Sequence, residues 1–109
     1  MKIVDYKTFI SMPEGTLYAE YKPCYFGELY VKGETINDGN DWFLSRTKES
    51  WQGDEQFVDQ CELMVAGNEL RGDYDIQERD GMFDYNRMFL VYDKTDIQDL
   101  INHLTKLIK

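Results

Sequence analysis

The strongest constraint on the fold is an apolar run followed at once by a capped amphipathic helix. Met88–Tyr92 is apolar at every position, which is typical of a strand buried on both faces. Thr95 fits the N-cap of a helix, and Gln98 three residues later completes a capping box. One side of this helix is an apolar stripe formed by Ile97, Leu100, Ile101, Leu104, Leu107 and Ile108. Such a stripe needs a sheet face to cover, so the region predicts a helix packed on an antiparallel sheet.

Residues 71–93 predict a β-hairpin whose second arm is that apolar run. The first arm alternates, so Asp73 and Asp75 project on the same side. Asp80-Gly81 tolerates the positive φ that tight hairpin turns need. An alternating arm beside an apolar arm is typical of an outer and an inner strand of one sheet. The outer arm and turn are therefore expected to present five carboxylates: Asp73, Asp75, Glu78, Asp80 and Asp84.

Earlier segments supply the other predicted elements. Asp5 fits the N-cap of a short helix over residues 6–11, which ends before Pro13. Strands are predicted over residues 17–22, 24–32 and 42–46, the second with a bulge at Gly27.

A mid-chain helix is predicted over residues 55–66 and is capped by Asp54. Phe57, Cys61 and Met64 share its apolar face. Residues 1–109 therefore predict one α+β domain. It has an antiparallel sheet of about five strands, with the mid-chain helix and the C-terminal helix packed on it.

Length and cysteine content limit the class of protein. At 109 residues the chain can bury a core without cross-links. No apolar run reaches the roughly 20 residues of a membrane span. The N-terminus also lacks the apolar region of a signal peptide, so we expect a cytoplasmic protein. Cys24 and Cys61 are then expected to be reduced, buried thiols.

Few groups could carry catalysis. The one imidazole, His103, falls on the solvent side of the last helix. The glycines do not have the spacing of a phosphate-binding loop. We expect no enzymatic activity, no cofactor and no metal ion. The alternative is a small metal-dependent enzyme that holds Mg²⁺ or Ca²⁺ on Asp73, Asp75 and Asp84.

The net charge of −9 is concentrated in one part of the chain. Residues 54–99 hold 13 acidic and four basic side chains, and 4 minus 13 equals the whole imbalance. Glu55, Asp59 and Glu62 fall at i, i+4 and i+7 of the mid-chain helix, along one edge. Such a field repels nucleic acid and attracts basic protein surfaces, although it also fits a role in solubility alone.

The predicted function is therefore non-enzymatic binding to a basic protein surface. One row of carboxylates carries charge too sparsely to imitate a nucleic-acid duplex, but two or three rows could occupy a basic groove. The predicted partner-binding residues are Glu55, Asp59, Glu62, Asp73, Asp75, Glu78, Asp80 and Asp84. A further alternative is a structural or small-ligand module with an aromatic surface, centred on Tyr25, Phe26, Tyr30 and Trp42.

Four segments carry a resemblance to a known group of proteins. They are Met12-Pro13-Glu14-Gly15-Thr16-Leu17-Tyr18, Tyr21-Lys22-Pro23-Cys24, Val31-Lys32-Gly33-Glu34-Thr35 and Arg79-Asp80-Gly81-Met82-Phe83-Asp84. Over nearly its whole length the chain resembles short bacteriophage and prophage proteins of unassigned function. The resemblance implies no activity and no catalytic residue. It implies a phage-encoded inhibitor of a host defence or nucleic-acid-handling protein, of the anti-CRISPR or anti-restriction type, acting in the host cytoplasm.

Overall fold

A computed structural model describes residues 1–108 and contains a six-stranded antiparallel sheet and three α-helices. The strands are β1 (Lys2–Asp5), β2 (Leu17–Lys22), β3 (Tyr25–Ile36), β4 (Asp41–Arg46), β5 (Gln77–Arg79) and β6 (Met88–Tyr92). The helices are α1 (Tyr6–Ile10), α2 (Asp54–Val65) and α3 (Lys94–Thr105). The sheet order is β1-β6-β2-β3-β4-β5. The predicted α+β class is confirmed, with six strands where about five were expected.

The predicted strands before residue 50 are confirmed, and one is longer than expected. β3 continues through Gly33 to Ile36 before a short turn at Asn37–Gly39. The register of β2 against β3 shifts between Ala19 and Tyr21, where β3 contains one extra residue. That extra residue lies at the predicted Gly27 bulge.

The predicted hairpin over residues 71–93 is wrong. β5 pairs with β4, with Arg79 opposite Phe43, and three strands separate it from β6. The chain before β5 is not a strand, and Asp75 has a left-handed φ of 63°. Asp41 holds β5 in place because its carboxylate accepts hydrogen bonds from Arg79 Nε at 2.8 Å and from the Gly81 amide at 2.9 Å. Of the alternating arm, only Gln77 and Glu78 are in a strand, and that strand pairs with β4 instead of β6.

The core lies on one face of the sheet, under α1. Phe9 is 0% exposed, and its ring stacks on Phe89 with centroids 4.1 Å apart. Trp42 donates a hydrogen bond from Nε1 to the Tyr18 hydroxyl at 2.9 Å, which satisfies two buried polar groups. The buried cluster comprises Val4, Tyr6, Phe9, Tyr18, Trp42, Leu44, Phe89 and Val91. It includes residues of α1 and none of α3, although the C-terminal helix was expected to cover the core strand β6.

The sheet is curled around this core. β4 and β6 are three strand spacings apart, which is about 14 Å in a flat sheet. The rings of Trp42 in β4 and Phe89 in β6 nevertheless lie 5.7 Å apart. This curvature lets a helix of five residues close the core. Asp5 fixes the start of that helix by accepting a hydrogen bond from the Thr8 amide at 2.8 Å, as predicted.

The two longer helices form near the predicted positions with different caps. Gly53, not Asp54, is the N-cap of α2. The capping box of α3 is formed by Asp93 and Asp96, two residues before the predicted Thr95 and Gln98. Neither helix has a buried residue. Within residues 1–108, every helix is too short or too polar to cross a membrane.

A lysine is buried in the sheet. Lys32 of β3 is 1% exposed, and its ammonium donates to Thr35 Oγ1 at 2.7 Å and to the Gly33 carbonyl at 3.4 Å. Both acceptors are neutral oxygens. Burial lowers the pKa of Lys32 below its ordinary 10.5, and only the more distant charge of Glu14 opposes this shift.

Replacing Lys32 with methionine is expected to raise the free energy of unfolding by about 1 kcal/mol at neutral pH. Between the lowered pKa and 10.5 the unfolded chain keeps the lysine proton while the folded chain releases it. Wild-type stability therefore gains from rising pH across that window, and the variant's advantage shrinks. Urea denaturation of both proteins at pH 7 and pH 10 measures this difference. Lys22→Met, at an exposed position, is the control; a Lys32→Met advantage that stays constant with pH would contradict the assignment.

Candidate functional site

An acidic arm, defined as residues 47–76, connects β4 to β5 and contains α2. Its outgoing and returning chains meet where the Ser50 amide donates to the Asp73 carbonyl at 2.8 Å. The arm holds eight acidic and two basic side chains, a net charge of −6 out of the total of −9. The remainder of the chain holds 13 acidic and ten basic side chains, a net of −3. The concentration of charge seen in the sequence thus becomes a property of one structural unit.

Glycines at both ends define the helix of this arm. Gly53 has a φ of 93° and Gly67 a φ of 98°, a region that side chains with a Cβ rarely adopt. After the last turn the Gly67 amide donates to the Met64 carbonyl and the Asn68 amide to the Leu63 carbonyl, at 3.0 and 3.1 Å. This termination satisfies carbonyls that would otherwise lack a partner.

Five of the eight predicted partner-binding residues lie on the arm and are free. All five are exposed, and their carboxylates form no ion pair with any described residue of the chain. They are Glu55, Asp59 and Glu62 on α2, and Asp73 and Asp75 on the returning loop. The charge of these groups is therefore available to another molecule.

The other three predicted residues are engaged within the fold. Glu78 Oε1 accepts from Arg46 Nε at 2.9 Å. Asp80 has a side chain 5% exposed and pairs with Arg87 at 2.7 Å, so the structure removes it from the candidate surface. Asp84 is exposed but accepts from the Asn86 amide at 3.0 Å, which closes a local turn. Sequence alone could not separate these residues from the free ones, because the pairs are made in the folded chain by Arg46 of β4 and by Arg87, which precedes β6.

Arg46 and Lys48, at the base of the arm, are paired with acids outside it, whereas Arg71 of the arm is exposed and forms no ion pair with any described residue. Arg46 donates to Glu28 at 2.6 Å as well as to Glu78, and Lys48 lies 3.7 Å from Glu28. The Arg46 guanidinium additionally lies over the Tyr30 ring, 5.5 Å from its centroid. These contacts keep the cations at the base of the arm away from the α2 carboxylates.

A groove of about 670 Å³ lies between α2 and the neighbouring β4–β5 edge of the sheet. Its apolar wall is formed by Trp51, Phe57, Cys61, Met64 and Ile76. Phe57 and Met64 remain exposed, and the Phe57 ring lies 6.0 Å from Trp51. The predicted apolar face of α2 therefore faces the sheet across an open groove. The role of Trp51 in lining it was not foreseen, because its segment has no periodic pattern.

The residues predicted for the two alternative functions, a metal-dependent enzyme and a module with an aromatic surface, are dispersed. Among residues 1–108, no three His, Cys, Asp or Glu side chains are close enough together to hold a metal ion. Of the aromatic group, Tyr25 and Phe26 are exposed at the β2–β3 turn, whereas Trp42 is buried in the core. The expectation of two buried thiols is also wrong: Cys24 is exposed in that turn with a φ of 64°, and Cys61 is only partly buried.

No family model, curated protein or solved structure matches this chain. The resemblance to bacteriophage proteins therefore stays a prediction. The site is defined by its geometry: an acidic helix and loop, projecting from a curled sheet and bordered by an apolar groove.

Proposed function

We propose that this protein is a non-enzymatic binding protein whose acidic arm engages a basic surface on a partner protein. The observation that carries the proposal is the set of five exposed carboxylates on the arm that have no ion-pair partner among the described residues. Folded proteins commonly pair neighbouring charges, and this one does so at Arg46, Arg79 and Arg87. The arm leaves its carboxylates free, and a concentrated field of one sign speeds association with a surface of opposite sign.

The helix of the arm also offers the apolar area that a stable contact needs. Charge at the rim of an interface mainly sets association rate and specificity, whereas buried apolar and aromatic side chains supply most of the affinity. Phe57 and Met64 line the groove beside the carboxylates of α2. The arm therefore offers both charged groups and apolar side chains to a partner. The complementary partner surface combines Lys or Arg side chains with at least one large apolar side chain.

The spacing of the three carboxylates along α2 favours a partner protein whose basic surface binds nucleic acid. Successive carboxylates of Glu55, Asp59 and Glu62 are about 6 and 4.5 Å apart along the helix axis. Duplex DNA carries one charge per about 1.7 Å. The arm would therefore neutralise part of a basic groove and compete with nucleic acid for it without reproducing a duplex. A host defence or nucleic-acid-handling protein, as the phage resemblance implies, is the proposed class of partner.

Reversing two charges of the arm is expected to weaken partner capture roughly tenfold. The test variant is Asp59→Lys with Glu62→Lys, and it leaves Glu55 at the favourable N-terminal turn of the helix. The control is Glu34→Lys with Asp38→Lys, at exposed positions outside the arm. Both variants change the net charge from −9 to −5. Immobilised protein is incubated with bacterial lysate at low and high salt, and captured proteins are quantified by mass spectrometry.

A genuine partner should be retained by wild type and the control, lost by the arm variant and weakened by salt. Equal capture by all three proteins, or equal loss from both variants, would refute the role of the arm. Thermal midpoints close to wild type for both variants would show that lost capture is not caused by unfolding.

A further inference from the structure

Three of the four arginines in this chain have the same kind of surroundings. Each guanidinium lies over an aromatic ring, 5.1–5.9 Å from its centroid, and pairs with a carboxylate at 2.6–2.8 Å. The negative face of the ring and the carboxylate both attract the cation, so the two contacts reinforce each other. The three sets are Arg46 with Tyr30 and Glu28, Arg79 with Phe83 and Asp41, and Arg87 with Phe89 and Asp80.

The groove beside α2 offers the same two kinds of contact without an arginine. Trp51 and Phe57 line it, with ring centroids 6.0 Å apart. Glu49 and Asp54 also line it, and both are exposed. Neither carboxylate forms an ion pair with any described residue, and no described cation lies over either ring. The groove therefore combines unpaired negative charge with aromatic surface.

The two cations of the groove wall are already paired. The Arg46 guanidinium donates to Glu28 at 2.6 Å and to Glu78 at 2.9 Å. The Lys48 ammonium lies 3.7 Å from Glu28. Arg71, the remaining arginine, is exposed and does not line the groove. A cation that pairs with the free carboxylates of the groove therefore has to come from another molecule.

A buried hydroxyl in the groove wall points to the same conclusion. Ser50 is 5% exposed and lines the groove, and its Oγ has no hydrogen-bond partner among the described residues. Its amide is fixed by the hydrogen bond to the Asp73 carbonyl. Buried polar side-chain atoms nearly always have a partner, so this hydroxyl indicates a polar group supplied from outside the chain. A guanidinium has five N–H donors and keeps some of them free after it pairs with a carboxylate.

We infer that the groove receives an arginine side chain of the basic partner protein, with its guanidinium on the Trp51 ring and paired with Glu49 and Asp54. Its methylene stem would pack on Phe57 and Met64. Arginine fits better than lysine because a planar guanidinium stacks on rings and donates several hydrogen bonds in a fixed geometry. Arginine is also among the residues that contribute most to protein interfaces. The inference rests on the proposed function, since the arginine belongs to that partner.

An NMR titration with a short arginine peptide tests the groove without the partner. Isotope-labelled protein is titrated with the capped tripeptide acetyl-Leu-Arg-Leu-amide. The Trp51 indole N–H signal should shift with a Kd of about 1 mM. The indole N–H signal of Trp42, which is buried and bonded to the Tyr18 hydroxyl, should stay in place. The same peptide with citrulline, a neutral analogue of arginine, should bind at least about tenfold more weakly.

Two double variants test the groove carboxylates. Glu49→Gln with Asp54→Asn removes both charges from the groove wall and should raise the Kd of the arginine peptide about tenfold. Asp59→Asn with Glu62→Gln makes the same change in net charge on α2, outside the groove wall, and should raise it less than about twofold. Unchanged core amide signals in both variants would show that neither has lost the fold.

Arg71→Gln checks whether the chain's own arginine enters the groove. It should leave the Trp51 signal of the free protein unchanged, and a shifted signal would overturn the inference by assigning the groove to Arg71. The inference would also be overturned by an arginine peptide that does not shift Trp51, by a citrulline peptide that binds as tightly, or by equal weakening in the two double variants. Partner capture without peptide binding would refute the arginine contact alone, and peptide binding without partner capture would refute the role of the arm alone.

Discussion

Replacing Phe9 with alanine is expected to lower the free energy of unfolding by about 3–5 kcal/mol. Phe9 is 0% exposed and is the side chain through which α1 closes the curled sheet. Its ring contacts Phe89 at 4.1 Å, Tyr18 at 4.6 Å and Trp42 at 5.1 Å between centroids. The truncation therefore removes aromatic contacts with three strands at once and leaves a cavity that rigid rings cannot fill.

Urea denaturation followed by tryptophan fluorescence measures this loss. Phe26→Ala makes the same chemical change at an exposed position near the start of β3 and should alter the free energy of unfolding by less than about 0.5 kcal/mol. Similar losses in the two variants would show that α1 does not close the core. A domain of this size has a total stability of about 5–15 kcal/mol, so Phe9→Ala is expected to remain folded only at low denaturant.

Replacing Arg87 with methionine is expected to cost about 3–5 kcal/mol, because it leaves the Asp80 carboxylate buried without its cation. The Arg87 side chain is 6% exposed and donates to Asp80 at 2.7 Å and to Glu20 at 3.2 Å. Its guanidinium also lies over the rings of Trp42 and Phe89, 5.4 and 5.1 Å from their centroids. The ion pair thus joins the loop after β5 to the aromatic core.

A double variant separates the loss of the pair from the cost of the unpaired charge. Asp80→Leu with Arg87→Met removes both charges from the interior and should recover most of the stability lost by Arg87→Met alone. Asp84→Leu is the control, because Asp84 is exposed and outside the ion-pair network. Urea denaturation of wild type, Asp80→Leu, Arg87→Met and the double variant gives the coupling energy. Additive losses from Asp80→Leu and Arg87→Met would contradict a buried ion pair.

The carboxylates show why charge in a sequence is an incomplete guide to a site. Asp41 was assigned no role from sequence, yet it is 0% exposed and holds β5 through Arg79, 38 residues away. Burial acts to raise the pKa of Asp41, but hydrogen bonds from Gly81, Arg79 and Trp42 outweigh it and hold that pKa below its ordinary range. Asp75, an identical side chain, is exposed and forms no ion pair with the described residues. The difference depends on which distant residue each carboxylate meets.

Local pattern was sufficient wherever the physical cause is local. The Asp5 cap, the Pro13 break and the alternation of residues 17–22 predict α1 and β2 because their determinants lie within a few residues. The apolar run that became β6 and the stripe that became α3 were identified for the same reason. The concentration of acidic residues was also readable directly, since net charge does not depend on the fold.

Tertiary structure alone decided how these parts combine. Alternation predicted a strand over the residues before 79, but only Gln77–Arg79 form one, and its pairing with β4 depends on Asp41, far away in sequence. Periodicity predicted two amphipathic helices, but sheet curvature allowed the five-residue α1 to cover the core and left the α3 stripe exposed. Secondary structure and charge are set by neighbours in the chain, so the sequence by itself determined them. Strand partners, the covering helix and the free carboxylates are set by contacts between distant residues, so only the folded chain could determine them.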